Sequence, residues 1–141
     1  MRFAILAAIL AGAVWAADDG DRAKIPGKWQ SQADSKQVWV VEDTGDAIHI
    51  TRSEGDQKVS EVQCAIGQEC QIKDAGKKIK VTMYYNGPKL IELETKGDEV
   101  VKRRFTAGEA DTMQIEVIPI VGGEVKAETL TFKRVSVQAA K

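Results

Sequence analysis

The residues best suited to bind a charged group in this chain are two arginines on predicted strands, Arg103 and Arg134. Alternation along each strand places Arg134 on the same face as Phe132, and Arg103 on the same face as Phe105. A guanidinium that faces a core needs a partner, because burying an unpaired charge is costly. The partner is either another group of the protein or the carboxylate of a bound ligand, which arginine contacts through two parallel hydrogen bonds.

For Arg134, the sequence offers an aromatic partner. Gly27-Lys28-Trp29 begins the first predicted strand, and Arg134 lies near the end of the last one. If the sheet closes on itself, these strands become neighbours and the guanidinium lies over the Trp29 ring, a contact worth about 1–2 kcal/mol when water is excluded. We favour this structural role, a plug formed by Gly27, Trp29 and Arg134 at one end of a barrel. Anion binding by Arg134 remains the alternative.

Catalytic chemistry is not indicated by any motif. His49 is the only histidine, and it alternates outward from Ile48 and Ile50, which predicts a surface position. Nucleophile-elbow and phosphate-binding loop motifs do not occur. The sequence therefore predicts a protein that is not an enzyme and has no catalytic residues, metal site or cofactor.

The two cysteines, Cys64 and Cys70, lie on either side of a predicted turn at Gly67. An even number of cysteines in an exported chain predicts a disulfide, which in so short a loop contributes roughly 2 kcal/mol in the chain-entropy model. A zinc site is not supported, because it needs about four ligands.

The N-terminus has the pattern of a secretory signal peptide. Arg2 is followed by an apolar run over residues 3–14 and by small residues before Ala16. This run is too short for a stable membrane anchor. We predict a cleaved signal peptide at 1–16, a flexible N-terminal segment at 17–26 and one barrel domain at 27–137. The predicted location is periplasmic or secreted.

Turn signals recur every eight to twelve residues after Lys36, and the segments between them alternate with a period of two. Short links favour sequential antiparallel neighbours, and a long meander avoids exposed edges by closing on itself. We predict an all-β, up-and-down antiparallel meander barrel of eight to ten strands without a helical lid. The predicted strands are 27–32, 36–43, 47–53, 57–65, 70–73, 77–86, 89–96, 99–106, 111–120 and 125–136.

These motifs resemble those of the calycin superfamily, the lipocalins and fatty-acid-binding proteins. Gly27-Lys28-Trp29 resembles the first-strand Gly-x-Trp of that superfamily, and Thr131–Val135 resembles its last-strand arginine motif. Val101–Phe105 is similar to the third-from-last strand of fatty-acid-binding proteins, where an inward arginine follows a lysine. The resemblance implies an exported, bacterial-type calycin barrel. The helical lid of fatty-acid-binding proteins has no counterpart, since only Ser31–Ser35 separate the first two strands.

The resemblance also implies that Arg103 and Arg134 share a ligand carboxylate. Ser136 stands where the family has a tyrosine two positions after the last-strand arginine, which departs from the family's pattern. The alternative for Arg103 is an internal salt bridge. Its candidate partners are Glu92, Glu94 and Glu116.

The function that we predict is that of a non-enzymatic exported binding protein holding a small hydrophobic or amphipathic ligand in the barrel. The alternative is an exported protein-interaction or hydrolase-inhibitor module with a side-chain-filled barrel, whose loops contact a protein. The chain carries 20 Lys and Arg against 21 Asp and Glu, a balance that gives no reason to expect a nucleic acid partner. The predicted ligand-binding residues are Arg103, Arg134, Trp39, Met83, Ile115 and Phe132.

Overall fold

The computed structural model describes residues 22–74, 76–120 and 127–135. The predicted signal peptide and residues 17–21 of the predicted flexible segment lie outside them. Ten strands make up the described fold, as the sequence predicts. They are β1 (Gly27–Ser31), β2 (Gln37–Asp43), β3 (Ala47–Glu54), β4 (Gln57–Ala65), β5 (Glu69–Asp74), β6 (Lys77–Asn86), β7 (Lys89–Lys96), β8 (Glu99–Ala107), β9 (Thr112–Pro119) and β10 (Glu128–Arg134).

All ten strands belong to one antiparallel sheet, in the order β4-β3-β2-β1-β10-β9-β8-β7-β6-β5. Pairing of β1 with β10 brings the two ends of the meander together, with Trp29 opposite Arg134. The sheet therefore forms a nearly closed up-and-down barrel, which confirms the predicted fold class. Within the described residues, no helix has the length and apolar character needed to cross a bilayer.

One pair of sequential strands does not follow the predicted pattern. β4 and β5 are consecutive in the chain, yet they are the two edges of the sheet. The disulfide between Cys64 and Cys70 joins them beside their connecting turn, and this predicted bond is confirmed. Beyond the disulfide, a cavity of about 270 Å³ lies between the two strands. Its lining residues are Lys58, Val59, Ser60, Glu61, Ile72 and Lys73.

The links between strands are tight because turn residues stand where the backbone needs them. Gly97, between β7 and β8, has φ of 60°, a left-handed conformation that glycine adopts without steric cost. On the strands, inward positions alternate with solvated ones, as in β6, where Ile79, Val81 and Met83 are buried. The barrel interior is therefore the single core of the described domain, and apolar side chains from all strands contribute to it.

Candidate functional site

One end of the barrel is closed around Trp29. The guanidinium of Arg134 lies over the Trp29 ring at 4.3 Å from its centroid. Its Nη1 and Nη2 donate to the carbonyls of Pro26 and Lys24, at 3.0 and 2.6 Å, and its Nε donates to Asp111 Oδ1 at 3.3 Å. All three nitrogens of the guanidinium thus donate to groups of the protein itself, which favours the predicted plug over binding of a ligand carboxylate at this arginine.

The chain just before β1 covers the same end. Ile25 is fully buried, and its carbonyl accepts a hydrogen bond of 2.8 Å from Trp29 Nε1. Arg22 donates to the carbonyl of Gly87 through Nε and Nη2, at 3.1 and 2.7 Å. Residues 22–26, the described part of the predicted flexible segment, therefore pack against the barrel.

Arg103 also lies inside the barrel, but its surroundings are different. Its Nη1 donates to Glu92 Oε1 and to Glu94 Oε2, both at 2.8 Å. The register explains the choice of partners, since Glu92 stands directly opposite Arg103 on the neighbouring strand. Glu116, the third candidate, binds Arg104 instead, on the other face of β8.

A second arginine, Arg52, meets the same carboxylate. Its Nη2 lies 3.2 Å from Glu92 Oε1, and its guanidinium lies 4.1 Å from the Trp39 ring centroid. Arg52 is not among the predicted site residues, although the alternation Ile48, Ile50, Arg52 on β3 places it on the inward face. We call the group formed by Arg52, Glu92, Glu94 and Arg103 the Glu92 network.

Burial and charge act in opposite directions on these arginines. Burial lowers the pKa of Arg52, and the attraction of Glu92 offsets only part of that effect. Burial also disfavours the charged form of Arg103, but Glu92 and Glu94 together outweigh it and raise its pKa. Both guanidiniums stay charged at neutral pH, so the Glu92 network holds two cations and two anions.

The apolar residues predicted to line a ligand site all belong to the buried core of the barrel. Met83, Ile115 and Phe132 are fully buried, and Trp39 is nearly so. The Trp39 ring lies 5.3 Å from Phe132 and 5.9 Å from Phe105, centroid to centroid. Trp39 therefore links the apolar core on one side with Arg52 on the other.

The predicted site residues thus fall into two groups. Arg103 joins Trp39 through Arg52 and Glu92, whereas Arg134 belongs to the plug and shares none of the hydrogen-bond partners of Arg103. The two arginines do not converge on one point. A cavity of about 170 Å³ reaches the Glu92 network at Arg52. Its lining residues are Gln37, Trp39, Arg52, Ser53, Glu54 and Val59.

Groups with other chemistry lie on the outside of the barrel. His49 is on the outer face of β3, with Nε2 2.8 Å from Glu61 and Nδ1 3.5 Å from Glu42. The described residues include no group of three or more His, Cys, Asp or Glu side chains arranged to hold a metal ion.

Ionisation of Tyr85 makes the stability of the fold depend on pH in the alkaline range. Its hydroxyl donates to Asp43 Oδ2 at 2.6 Å, and burial, reinforced by this carboxylate, raises the pKa of Tyr85 well above its usual value of about 10. The folded state therefore favours the neutral phenol, so this contribution is complete below the unfolded-state pKa and is lost as the pH rises beyond it. We expect the free energy of unfolding to fall above pH ~10, and Tyr85→Phe to flatten that fall in urea titrations. Tyr84→Phe is the control, and equal slopes in both variants would contradict the assignment.

Comparison with known proteins bears on the fold. No protein-family model matches the sequence, and none of the curated proteins does. Solved structures match the fold at low identity. An abundant heat soluble (SAHS) protein from Ramazzottius varieornatus has a TM-score of 0.67 and 16% identity, over 79% of this chain and 96% of that one.

Two further structures were solved with a ligand. A Schistosoma mansoni fatty acid binding protein in complex with arachidonic acid has a TM-score of 0.64 and 19% identity, over 83% of this chain and 100% of that one. Zebrafish ileal bile acid-binding protein with cholic acid has a TM-score of 0.61 and 15% identity, over 79% and 99%. At these identities the likeness concerns the fold alone, an antiparallel up-and-down β-barrel.

Proposed function

We propose that this chain is an exported, non-enzymatic binding protein that holds a small hydrophobic or amphipathic ligand in its barrel. The observation that carries the proposal is the Glu92 network, a set of four charged side chains inside the barrel beside Trp39. Buried ion pairs are weak contributors to stability, because the cost of desolvation offsets their attraction. Buried charges beside apolar side chains are instead typical of sites that recognise a polar group.

The surroundings of the network suit an amphipathic molecule. Trp39 and Phe132 supply apolar surface, while Arg52 and Glu92 supply polar groups at one side of it. The cavity at Arg52 is about 170 Å³, smaller than the roughly 300 Å³ of common ligand pockets. A longer ligand therefore requires Trp39 to move away from Phe132. The arachidonic and cholic acids held by barrels of this fold support such a ligand.

Export is supported by the sequence pattern at the N-terminus and by the disulfide. The run after Arg2 is typical of a signal peptide, and disulfides persist mainly in oxidising compartments. A periplasmic or extracellular location agrees with both observations.

Native mass spectrometry of the purified protein, followed by displacement of a fluorescent fatty acid, tests the proposal. We expect a bound small molecule or saturable displacement, with Arg103→Ala weakening binding about tenfold, since it removes charged hydrogen bonds from the network. Arg104→Ala is the matched control, because the neighbouring arginine faces outward to Glu116. Absence of both a bound molecule and displacement would contradict the proposal.

The packed core favours a second candidate, an exported protein-interaction or inhibitor module. Trp29, Met83, Phe105 and Phe132 are all fully buried, so much of the interior is filled by side chains. In that case the turns would contact a protein, through the Cys64–Cys70 loop or residues 84–88. This candidate is favoured if native mass spectrometry finds no bound molecule and the protein binds no fluorescent fatty acid that could be displaced.

A further inference from the structure

We propose that the polar end of the ligand is a hydroxyl group that donates a hydrogen bond to Glu92, rather than a carboxylate bound by the arginines. This inference rests on the proposed function, because it names the chemical class of ligand that the same site takes. The class is an apolar chain or ring system that ends in an alcohol.

The two carboxylate oxygens of Glu92 have different surroundings. Arg52 and Arg103 both donate to Oε1, at 3.2 and 2.8 Å. Oε2 is buried and accepts no hydrogen bond from the described residues, and the Glu92 side chain is fully buried. Buried carboxylate oxygens are nearly always hydrogen-bonded. Oε2 therefore offers an acceptor to a donor that comes from outside the protein.

The charges of the Glu92 network are already balanced. Two guanidiniums already face two carboxylates, and Arg103 binds both Glu92 and Glu94. A ligand carboxylate would have to draw an arginine away from one of them and would leave a buried anion poorly paired. An ammonium would add a buried cation to a balanced cluster. A hydroxyl adds no charge and donates one hydrogen bond, which is what Oε2 lacks.

The space beside the Glu92 network favours a small polar group. The cavity of about 170 Å³ reaches the network at Arg52, whose guanidinium lies on the Trp39 ring. Glu92 lies behind these side chains rather than in the cavity wall. A hydroxyl is smaller than a carboxylate or an ammonium group, so it reaches Glu92 with the least displacement of Arg52 and Trp39. The apolar part of the ligand then contacts Trp39 and, when that ring moves, Phe132.

The test compares three ligands with the same twelve-carbon chain: dodecanol, dodecanoate and dodecylamine. Isothermal titration calorimetry gives the dissociation constants, with the protein titrated into dodecanol below its solubility limit and into the two charged ligands below their micellar concentrations. For the unaltered protein we expect dodecanol to bind at least about tenfold tighter than either charged ligand, the size of effect given by one hydrogen bond to a charged group.

Two variants separate the role of Oε2 from that of net charge. Glu92→Gln removes the carboxylate with little change of shape, and should weaken dodecanol about tenfold while it strengthens dodecanoate. Glu94→Gln changes the net charge by the same amount but keeps Glu92 Oε2. It should strengthen dodecanoate and leave dodecanol within about twofold.

The outcomes are distinguishable. If dodecanoate or dodecylamine binds as tightly as dodecanol, or if both variants change dodecanol binding equally, the hydroxyl assignment is wrong although the barrel binds ligands. If none of the three ligands binds, the proposed function itself fails. The order of the ligands on the unaltered protein decides the matter even if Glu92→Gln does not fold.

Discussion

Replacing Glu92 with alanine should lower the free energy of unfolding by about 3–5 kcal/mol, the usual loss when one partner of a buried ion pair is removed. Arg52 and Arg103 both donate to Glu92, and their guanidiniums are mostly buried. Without the carboxylate, two like charges remain close together inside the barrel. Urea unfolding at neutral pH, followed by circular dichroism, measures the loss.

Glu94→Ala is the matched control on the same strand. Glu94 is 23% exposed, and Arg103 keeps its bond to Glu92 when Glu94 is removed. We expect a loss of only about 1 kcal/mol. Equal losses in the two variants would show that Glu92 does not hold the network together.

Gly27→Ala should lower the free energy of unfolding by about 3 kcal/mol, through backbone strain and loss of the ring contact. Gly27 has φ of 148°, a conformation that strains residues with a side chain. A Cβ at this position would collide with Arg134 Nη1 and push the guanidinium away from Trp29. Thermal and urea unfolding of the purified variant would measure both effects together.

Two comparisons separate these effects. Gly45 also has a positive φ, of 92°, but open space surrounds the position of its missing Cβ. Gly45→Ala therefore reports the backbone cost alone and should be milder. Gly27→Ala in an Arg134→Ala background should also cost less than in the native chain. If the cost is the same in both backgrounds, the collision with Arg134 is not its cause.

Local patterns in the sequence predict the strands but not where the barrel is left unpaired. Each strand is recognisable because alternation and turn residues are local signals. The turn at Gly67 predicts an ordinary hairpin, yet β4 and β5 form the edges of the sheet. How far two strands diverge depends on the curvature of the whole sheet, which no short segment encodes.

In the candidate site, too, local patterns predict which side chains face inward but not which of them come into contact. Alternation directs Arg103 inward, but it leaves Glu92, Glu94 and Glu116 as equal candidates. The register between β7 and β8 decides among them, since it sets Glu92 against Arg103. Arg52 is recognisable by alternation on β3, but its meeting with Glu92 joins positions 40 residues apart. Pairs at such distances depend on how the closed sheet brings strands together.

The plug has a consequence for the order of folding. Arg134 donates to Pro26, which lies 108 positions earlier in the chain. Hairpins between successive strands form over short separations, whereas β1 and β10 can meet only after the intervening meander is largely assembled. Contacts made last in folding are absent from the transition state, so they act mainly on the rate of unfolding. We therefore expect the contacts of Arg134 to slow the unfolding of the barrel while leaving its folding rate nearly unchanged.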